Sequence, residues 1–197
     1  QPSSCIARFI PDPPRGRTVV IGAGKASAAM AKSLEKYFKG PLTGTVVTRY
    51  GYNVQCEFIN VIQASHPIPD ETGVRAAKII LEEVQDLTED DLVICLISGG
   101  GSSLLTLPAS DLTIIEKQLI NKKLLICGAT VSEINTIRKH ISRIKGGQLA
   151  LACLPASVLT LAISDVVGDD PSVIASGPTV PDRSTCDQAL KILEKYE

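Results

Sequence analysis

Apolar residues in this chain form short continuous runs that alternate with stretches of helical spacing. Runs rich in branched apolar residues are typical of strands that are buried on both faces of a parallel sheet. They predict five strands, at residues 18–21, 44–48, 58–62, 92–97 and 157–163. Between them, apolar residues recur every three or four positions, which predicts helices at residues 25–38, 70–85, 113–127, 130–145, 149–153 and 184–196. This alternation predicts an α/β fold with helices on both sides of a mostly parallel sheet.

Several of the predicted helices carry capping signals at their ends. Thr113 and Thr130 are each followed three residues later by a glutamate, which is the spacing of a capping box. We expect Asp70 to cap the second helix and the segment 184–187 to cap the last one. The glycine pair at 146–147 is expected to end the helix that Thr130 begins.

Composition narrows the class of protein. The 197 residues carry a net charge of −1, so nothing favours nucleic acid or a membrane surface as a partner. No apolar run reaches the ~18 residues of a membrane span, and no secretory signal pattern is visible. The six cysteines include no C-x-x-C pair, and we expect a cytoplasmic protein. Four prolines predict an irregular lead-in at residues 1–17, followed by a domain at 18–197.

The fourth predicted strand runs directly into Ser98, Gly99, Gly100, Gly101 and Ser102. Successive glycines let a ligand approach the backbone closely, and their N–H groups with the flanking hydroxyls can line an anion site. The carboxyl end of a buried strand is also where an open α/β sheet places its ligand. We therefore interpret these residues as a phosphate or carboxylate site. The alternative is a flexible turn without a ligand.

A second glycine-containing turn follows the first strand. Gly22 and Gly24 resemble superficially the start of the dinucleotide fingerprint G-x-G-x-x-A. NAD binding requires an acidic residue at the end of the second strand, where Arg49 stands instead, although an arginine suits the 2′-phosphate of NADP. Alternatively, Lys25 adds a positive charge where the N–H groups of a first helical turn already favour anions. Gly24 and Lys25 then belong to an anion site, and the remaining interpretation is an exposed lysine.

Three carboxylates follow the last predicted strand, at Asp165, Asp169 and Asp170. Their mutual repulsion is unfavourable unless a cation or solvent intervenes. Mg²⁺ takes one or two carboxylates together with phosphate oxygens, and a carboxylate can also accept the proton of a substrate hydroxyl. Asp170 is better explained as a cap before Pro171. Asp165, directly after the strand, is the stronger candidate for metal binding or catalysis, and Asp169 is the second.

Positive charge is concentrated in the segment 135–147. Such a run is often a solvated helix face. The glycine pair after Lys145 nevertheless favours a close approach, with Arg138 and Lys145 facing a polyanion. His66 lies between the third strand and the second helix, in a loop that two prolines stiffen. A single histidine of this kind is more often structural than catalytic.

Taken in order, six segments resemble the class II glycerate kinases, the MOFRL-associated family: residues 22–26, 65–70, 96–102, 134–139, 143–147 and 163–179. Each segment alone is weak evidence, but six in the right order across residues 18–183 are specific. The resemblance implies a Rossmann-like three-layer α/β/α domain. It implies ATP-dependent phosphorylation of D-glycerate to 2-phosphoglycerate with Mg²⁺. It also implies a cleft against a smaller carboxy-terminal domain, which this chain is expected to lack.

The resemblance also implies roles for individual residues. The lysine of the family's G-x-G-K motif maps onto Lys25, which would stabilise the transferring phosphoryl group or the carboxylate of glycerate. The family's aspartate maps onto Asp165 or Asp169, which would bind Mg²⁺ or accept the proton of the hydroxyl. Arg138 and Lys145 would be secondary anion contacts. The expected ligands are ATP, Mg²⁺ and D-glycerate, and the candidate assembly is a homodimer.

Two other functions remain open at this point. An NADP-dependent hydroxypyruvate or 2-hydroxyacid reductase agrees with older labels for the family and with the glycine turn after the first strand. A non-catalytic module that binds anions agrees with the glycine loops alone.

Overall fold

A computed structural model describes residues 6–196 of the chain. It contains five strands that pair in parallel in the order β3-β2-β1-β4-β5. The strands are β1 (Thr18–Ala23), β2 (Thr43–Arg49), β3 (Ile59–Ala64), β4 (Leu92–Ser98) and β5 (Ser157–Ile163). The predicted α/β fold with a parallel sheet is therefore confirmed, and each predicted strand is present with its ends shifted by at most two residues.

Seven α-helices lie between and after the strands in this part of the chain. They are α1 (Ser27–Tyr37), α2 (Glu71–Glu83), α3 (Gly101–Leu104), α4 (Ile114–Ile126), α5 (Val131–His140), α6 (Gln148–Ala152) and α7 (Cys186–Lys195). Short 3₁₀ turns are found at Ala7–Phe9 and Ile174–Ser176. The sequence did not predict α3, because its four residues lie inside the stretch that we interpreted as an open glycine loop.

The helix that Thr130 begins ends at His140, so the prediction that Gly146 and Gly147 end it was wrong. The chain leaves the helix earlier, where the Arg143 N–H donates to Leu107 O.

The remaining predicted caps are present with one exception. Thr113 and Thr130 each form the full reciprocal capping box, and the Asp70 side chain accepts a hydrogen bond from the Gly73 N–H. At the last helix the cap is Thr185, which forms a box with Gln188, rather than Ser184 with Asp187. The prediction was wrong by one residue because both threonine and serine satisfy the same spacing rule.

Alternation of side chains along the strands divides the core into two layers. Val19 and Ile21 of β1 pack on the side of the sheet that α2 covers, whereas Val20 packs with Met30 and Leu34 of α1 on the other side. Ile6, from the predicted lead-in, joins the α1 side. Both faces of the sheet are therefore covered, as expected for parallel strands.

A third group of buried apolar residues lies apart from both sheet faces. We call it the lateral cluster; its buried members are Leu124 of α4, Ile134 and Ile137 of α5, and Ala189 of α7. It holds together the helices that follow the glycine loop in sequence.

Sheet order decides where the loops meet. The chain leaves β1 towards β2 and β3 on one side, then returns across the sheet to β4 on the other side. Ala23 and Ile97 are paired in register at the carboxyl ends of β1 and β4. The loops after these two strands therefore begin side by side, at the switch point where open α/β sheets bind ligands.

Residues 1–5, which belong to the predicted lead-in, and Glu197 lie outside the described residues. None of the described helices is long and apolar enough to cross a membrane.

Candidate functional site

The glycine loop after β4 is held in close contact with three other loops. A Cβ atom on Gly99 would collide with the carboxylate of Asp165. A Cβ atom on Gly100 would lie 2.8 Å from the His66 ring, and φ at Gly100 is +86°, in the left-handed region. These two positions therefore need glycine, because the side chains of His66 and Asp165 lie directly against the backbone.

The same loop presents unused backbone donors. Within residues 6–196, the N–H groups of Gly99, Gly100, Gly101 and Ser102 have no acceptor. The hydroxyl of Ser102 lies 2.9 Å from that of Ser176. Together these groups form a concave set of donors of the kind that binds anions in proteins.

The turn after β1 behaves differently, because all of its N–H groups are bonded within the protein. Gly24 N–H donates to Val47 O, and Lys25 N–H donates to Gly99 O at 2.9 Å. Ala26 N–H donates to the Ser98 hydroxyl at 3.0 Å. The amides of these three turn residues are thus not available to an anion. An anion bound at this turn would meet the Lys25 side chain rather than these amides, and the two loops are connected through Gly99 O and the Ser98 hydroxyl.

The side chains of Lys25, His66 and Asp165 surround the glycine loop. Burial, together with the nearby Lys25 and Arg49 charges, lowers the pKa of His66, while Asp165 acts in the opposite direction. His66 is therefore a neutral imidazole at pH 7. Arg49 itself lies over the Tyr52 ring at 4.2 Å.

Asp169 is placed in another cavity, of about 700 Å³, which Ser164, Ile174 and Thr179 also line. The roles predicted for Asp169, as catalytic residue and metal ligand, stay predictions. Asp170 accepts a hydrogen bond from the Ser172 N–H at 2.8 Å, which agrees with its interpretation as a cap.

Carboxylates for a metal are few in this region. No group of three or more histidine, cysteine, aspartate or glutamate side chains suited to a metal ion occurs among the described residues. Mg²⁺ needs only one or two carboxylates when phosphate oxygens supply other ligands. The carboxylate of Asp165 beside Gly99 fits that requirement.

A larger cavity, of about 860 Å³, adjoins the glycine loop on the side of α4. Lys117, Arg138 and Lys145 line it together with Gly100 and Ser102. The structure thus brings together Arg138 and Lys145, as the sequence predicted, and adds a third cation from a different helix.

Each of these cations is held by neutral groups. The Lys145 amine donates to Leu105 O at 2.9 Å and to Ala175 O at 3.4 Å. Lys117 donates to Ile141 O at 3.4 Å, and Arg138 Nε donates to Asn121 Oδ1 at 2.9 Å. None of the three forms an ion pair within the described part of the chain.

Burial and the neighbouring positive charges lower the pKa values of both lysines. Burial, with a smaller contribution from the Arg138 charge, lowers the pKa of Lys117 to about 8. Burial lowers the pKa of Lys145 well below its usual range, and the charges of Lys117 and Arg138 add to this effect. Such shifts in lysines that line a cavity are typical of functional sites.

Sequence reasoning missed Lys117 and gave His66 a structural role. Lys117 occupies a core-spaced position between Ile114 and Leu124 on α4, and it is only 2% exposed. The sequence contains no clear signal for this residue, because α4 carries apolar residues on its exposed side as well, such as Ile115 and Leu119. Lys139, another charged residue of the basic run, pairs with Asp182 at 3.1 Å.

The chain matches a known protein family over its whole length. The family described as "Domain of unknown function (DUF4147)" matches residues 1–197. A putative hydroxypyruvate reductase from Agrobacterium vitis is 54% identical over 99% of this chain and 45% of its own length. D-glycerate 2-kinase from Thermotoga maritima is 43% identical over 99% of this chain and 47% of its own length.

A solved structure shows the same fold. The crystal structure of a glycerate kinase from Thermotoga maritima matches 99% of this chain and 48% of its own, with a TM-score of 0.89 at 41% identity. The chain thus spans somewhat less than half the length of these relatives. Since the family match extends over all of its residues, the chain belongs to the DUF4147 domain family.

Proposed function

We propose that this chain contributes the substrate- and nucleotide-binding part of an enzyme that phosphorylates D-glycerate to 2-phosphoglycerate with ATP and Mg²⁺. The observation that carries the proposal is the meeting of Lys25, His66 and Asp165 around a glycine loop with unused N–H donors. The names of the Thermotoga relatives support the choice of reaction.

The glycine loop and Lys25 supply positive potential in this scheme. Phosphoryl transfer requires mainly positioning and neutralisation of charge, with little covalent chemistry from the protein. The N–H groups of Gly99 to Ser102 hold an anionic group, either the carboxylate of glycerate or a phosphoryl oxygen. Lys25 adds a full charge at the same edge of the sheet.

Asp165 has two candidate roles beside the loop. As a ligand it would hold Mg²⁺, which neutralises phosphate charge when it is bound. As a base it would accept the proton of the 2-hydroxyl group. His66 stays neutral at pH 7, so its ring can exchange a hydrogen bond with the substrate without adding charge.

A reductase is the second candidate, because the Agrobacterium relative carries that name. Dinucleotide binding relies on free N–H groups in the turn after the first strand. Here Gly24, Lys25 and Ala26 already donate to Val47, Gly99 and Ser98. Because these hydrogen bonds occupy the amides that a dinucleotide would use, they favour phosphoryl transfer over hydride transfer. The third candidate is an anion-binding module without turnover.

The deciding experiment follows ADP release and NADPH oxidation in parallel on the full-length protein that carries this chain. D-Glycerate and hydroxypyruvate are offered in turn as substrates. We expect glycerate-dependent ADP release with Mg²⁺ and no NADPH oxidation. Oxidation of NADPH with hydroxypyruvate would establish the reductase, and ligand binding without either signal would leave the anion-binding module.

Replacing Asp165 by asparagine separates its two roles. Activity that returns at higher Mg²⁺ concentration identifies a metal ligand, whereas a base loses activity that Mg²⁺ does not restore. Asp169→Asn is the matched comparison, since Asp169 lines the other cavity. If only Asp169→Asn lowers the activity, the catalytic carboxylate has been assigned to the wrong residue.

Location and assembly complete the proposal. We expect a cytoplasmic protein that acts on a small molecule, D-glycerate, and assembles as a homodimer. Size-exclusion chromatography with light scattering measures the assembly directly.

A further inference from the structure

The cavity next to the glycine loop is lined by positive charge without a counter-charge. Its charged and titratable lining groups are Lys117, Lys122, Arg138, Lys145 and His66, and no carboxylate is among its lining residues. A buried charge is costly unless it is paired. Lys117 and Lys145 are 2% and 1% exposed, so both amines are removed from bulk solvent.

The hydrogen bonds of these cations leave many donors unused. Lys117 uses one of its three N–H groups, and Lys145 uses two of three. Arg138 uses only its Nε, which leaves the terminal N–H groups free. Free guanidinium and ammonium donors directed at one cavity match the several oxygens of a phosphate group better than the two oxygens of one carboxylate.

A neutral group in the same cavity also lacks a partner. Thr106 lines the cavity and is fully buried, and its Oγ1 has no hydrogen-bond partner among the described residues. Buried hydroxyls are normally satisfied. A ligand atom that accepts a hydrogen bond from the Thr106 hydroxyl would satisfy this group.

The cavity also has an apolar wall. Ile68, Ile115 and Leu119 line it and are 63%, 71% and 54% exposed. A ligand with an anionic part and a flat apolar part would cover both walls. At about 860 Å³ the cavity is large enough for a nucleotide.

We propose that Lys117, Arg138 and Lys145 bind the phosphate chain of a nucleoside di- or triphosphate, with its base against Ile115 and Leu119. The glycine loop with Lys25 is then left for the acceptor substrate. The choice of a nucleotide rests on the proposed kinase function, whereas the preference for an anion with several oxygens rests on the unpaired basic side chains and the Thr106 hydroxyl.

The test measures binding, by calorimetry in phosphate-free buffer, of ADP, inorganic tripolyphosphate and D-glycerate to the full-length protein. Wild type is compared with Lys117→Met and Arg138→Gln, after circular dichroism has shown that each variant is folded. Lys123→Met, an exposed lysine on the same helix that does not line the cavity, is the matched control.

We expect each cavity variant to raise the Kd of ADP and tripolyphosphate by about 10- to 100-fold, the loss typical of a charged hydrogen bond. The control is expected to change it less than about twofold. Binding of ADP should also take up protons near pH 8, since an anion restores the proton affinity of Lys117. Repeating the titration in two buffers with different ionisation enthalpies detects this uptake.

Unchanged ADP binding in both folded cavity variants would overturn the inference, as would a loss of glycerate binding alone. Failure of the kinase proposal looks different, because ADP would still bind through the cations while glycerate is not phosphorylated. Tighter binding of ADP than of tripolyphosphate supports contact with the apolar wall. Tripolyphosphate binding as tightly as ADP would refute the position assigned to the base.

Discussion

Replacing Lys117 by methionine should stabilise the protein in the absence of ligand, although most substitutions of buried residues destabilise. Methionine retains the length of the lysine stem and removes the charge. Burial lowers the pKa of Lys117 from 10.5 to about 8. At about 1.4 kcal/mol per pH unit, this corresponds to about 3 kcal/mol of destabilisation by the charged form.

Losing the hydrogen bond to Ile141 O offsets part of this gain. That bond is long, at 3.4 Å, and we assign it about 1 kcal/mol. The expected net stabilisation at neutral pH is therefore about 2 kcal/mol. For a domain of this size it corresponds to a rise in Tm of about 4–8 °C.

The gain should depend on pH in a defined direction. Between about pH 8 and 10.5 the unfolded chain holds the Lys117 proton more tightly than the folded chain does, so wild-type stability from this group rises with pH. Below about pH 8 the full cost of the buried charge is present. The advantage of methionine is therefore greatest at neutral pH and declines towards pH 10.5.

Urea denaturation in phosphate-free buffer, at about pH 7 and about pH 10, measures both effects. Lys123→Met on the same helix should leave the free energy of unfolding within about 0.5 kcal/mol of wild type, as is usual at exposed sites. A destabilised Lys117→Met protein at neutral pH, with no change in the difference at high pH, would refute the reasoning. Lys117 would then be compensated by a group that we have not identified.

Three further predictions concern the glycine loop. Lys25→Ala should lower kcat/KM for glycerate phosphorylation by about 10²-fold, the loss typical of one preorganised electrostatic contact, and a change of less than about threefold would remove it from the site. Asp165→Asn should lower the pKa of His66, since the Asp165 charge raises it, and Lys25→Ala should raise that pKa; NMR titration of the ring checks both directions. Gly99→Ala should lower activity, because the new Cβ atom would displace the Asp165 carboxylate. Gly128→Ala is the control: its Cβ atom would meet nothing within 4 Å, and its positive φ should reduce the free energy of unfolding by only about 1 kcal/mol. Equal activity loss in both glycine variants would mean that Gly99 acts through general stability.

Much of the fold could be predicted from local pattern. Five of the seven residues of β5 are apolar, and the strand was predicted at its observed bounds. The capping boxes at Thr113 and Thr130 were found because both partners lie within four residues of each other. These features depend on neighbours in sequence, and neighbours are what a single sequence displays.

The site depended on contacts that a single sequence does not display. His66 follows β3, which is three positions from β4 in the sheet, yet its ring lies against Gly100. Nothing in the local pattern gives the strand order that brings them together. Lys117 and Arg138 lie on different helices and meet only in the folded chain, so the sequence suggested half of the basic cavity and missed the rest.

The hydrogen bonds of the turn after β1 likewise could not be predicted from the sequence. The fingerprint-like spacing of Gly22 and Gly24 suggested free amides, because in dinucleotide-binding domains that turn faces the ligand. Here Gly99 O and the Ser98 hydroxyl occupy the amides of Lys25 and Ala26. The glycine-containing turn after β1 therefore connects to the glycine loop after β4 instead of presenting these amides to a ligand.

The lateral cluster has a consequence for motion. Leu124, Ile134, Ile137 and Ala189 hold α4, α5 and α7 to one another through a small apolar group that is separate from the two faces of the sheet. Regions with their own limited apolar packing open with lower free energies than the central strands of a domain. We therefore expect the backbone amides of α5 and α7 to exchange with solvent faster than those of the central strands β1 and β4. Opening of these helices would widen access to Lys117, which is only 2% exposed.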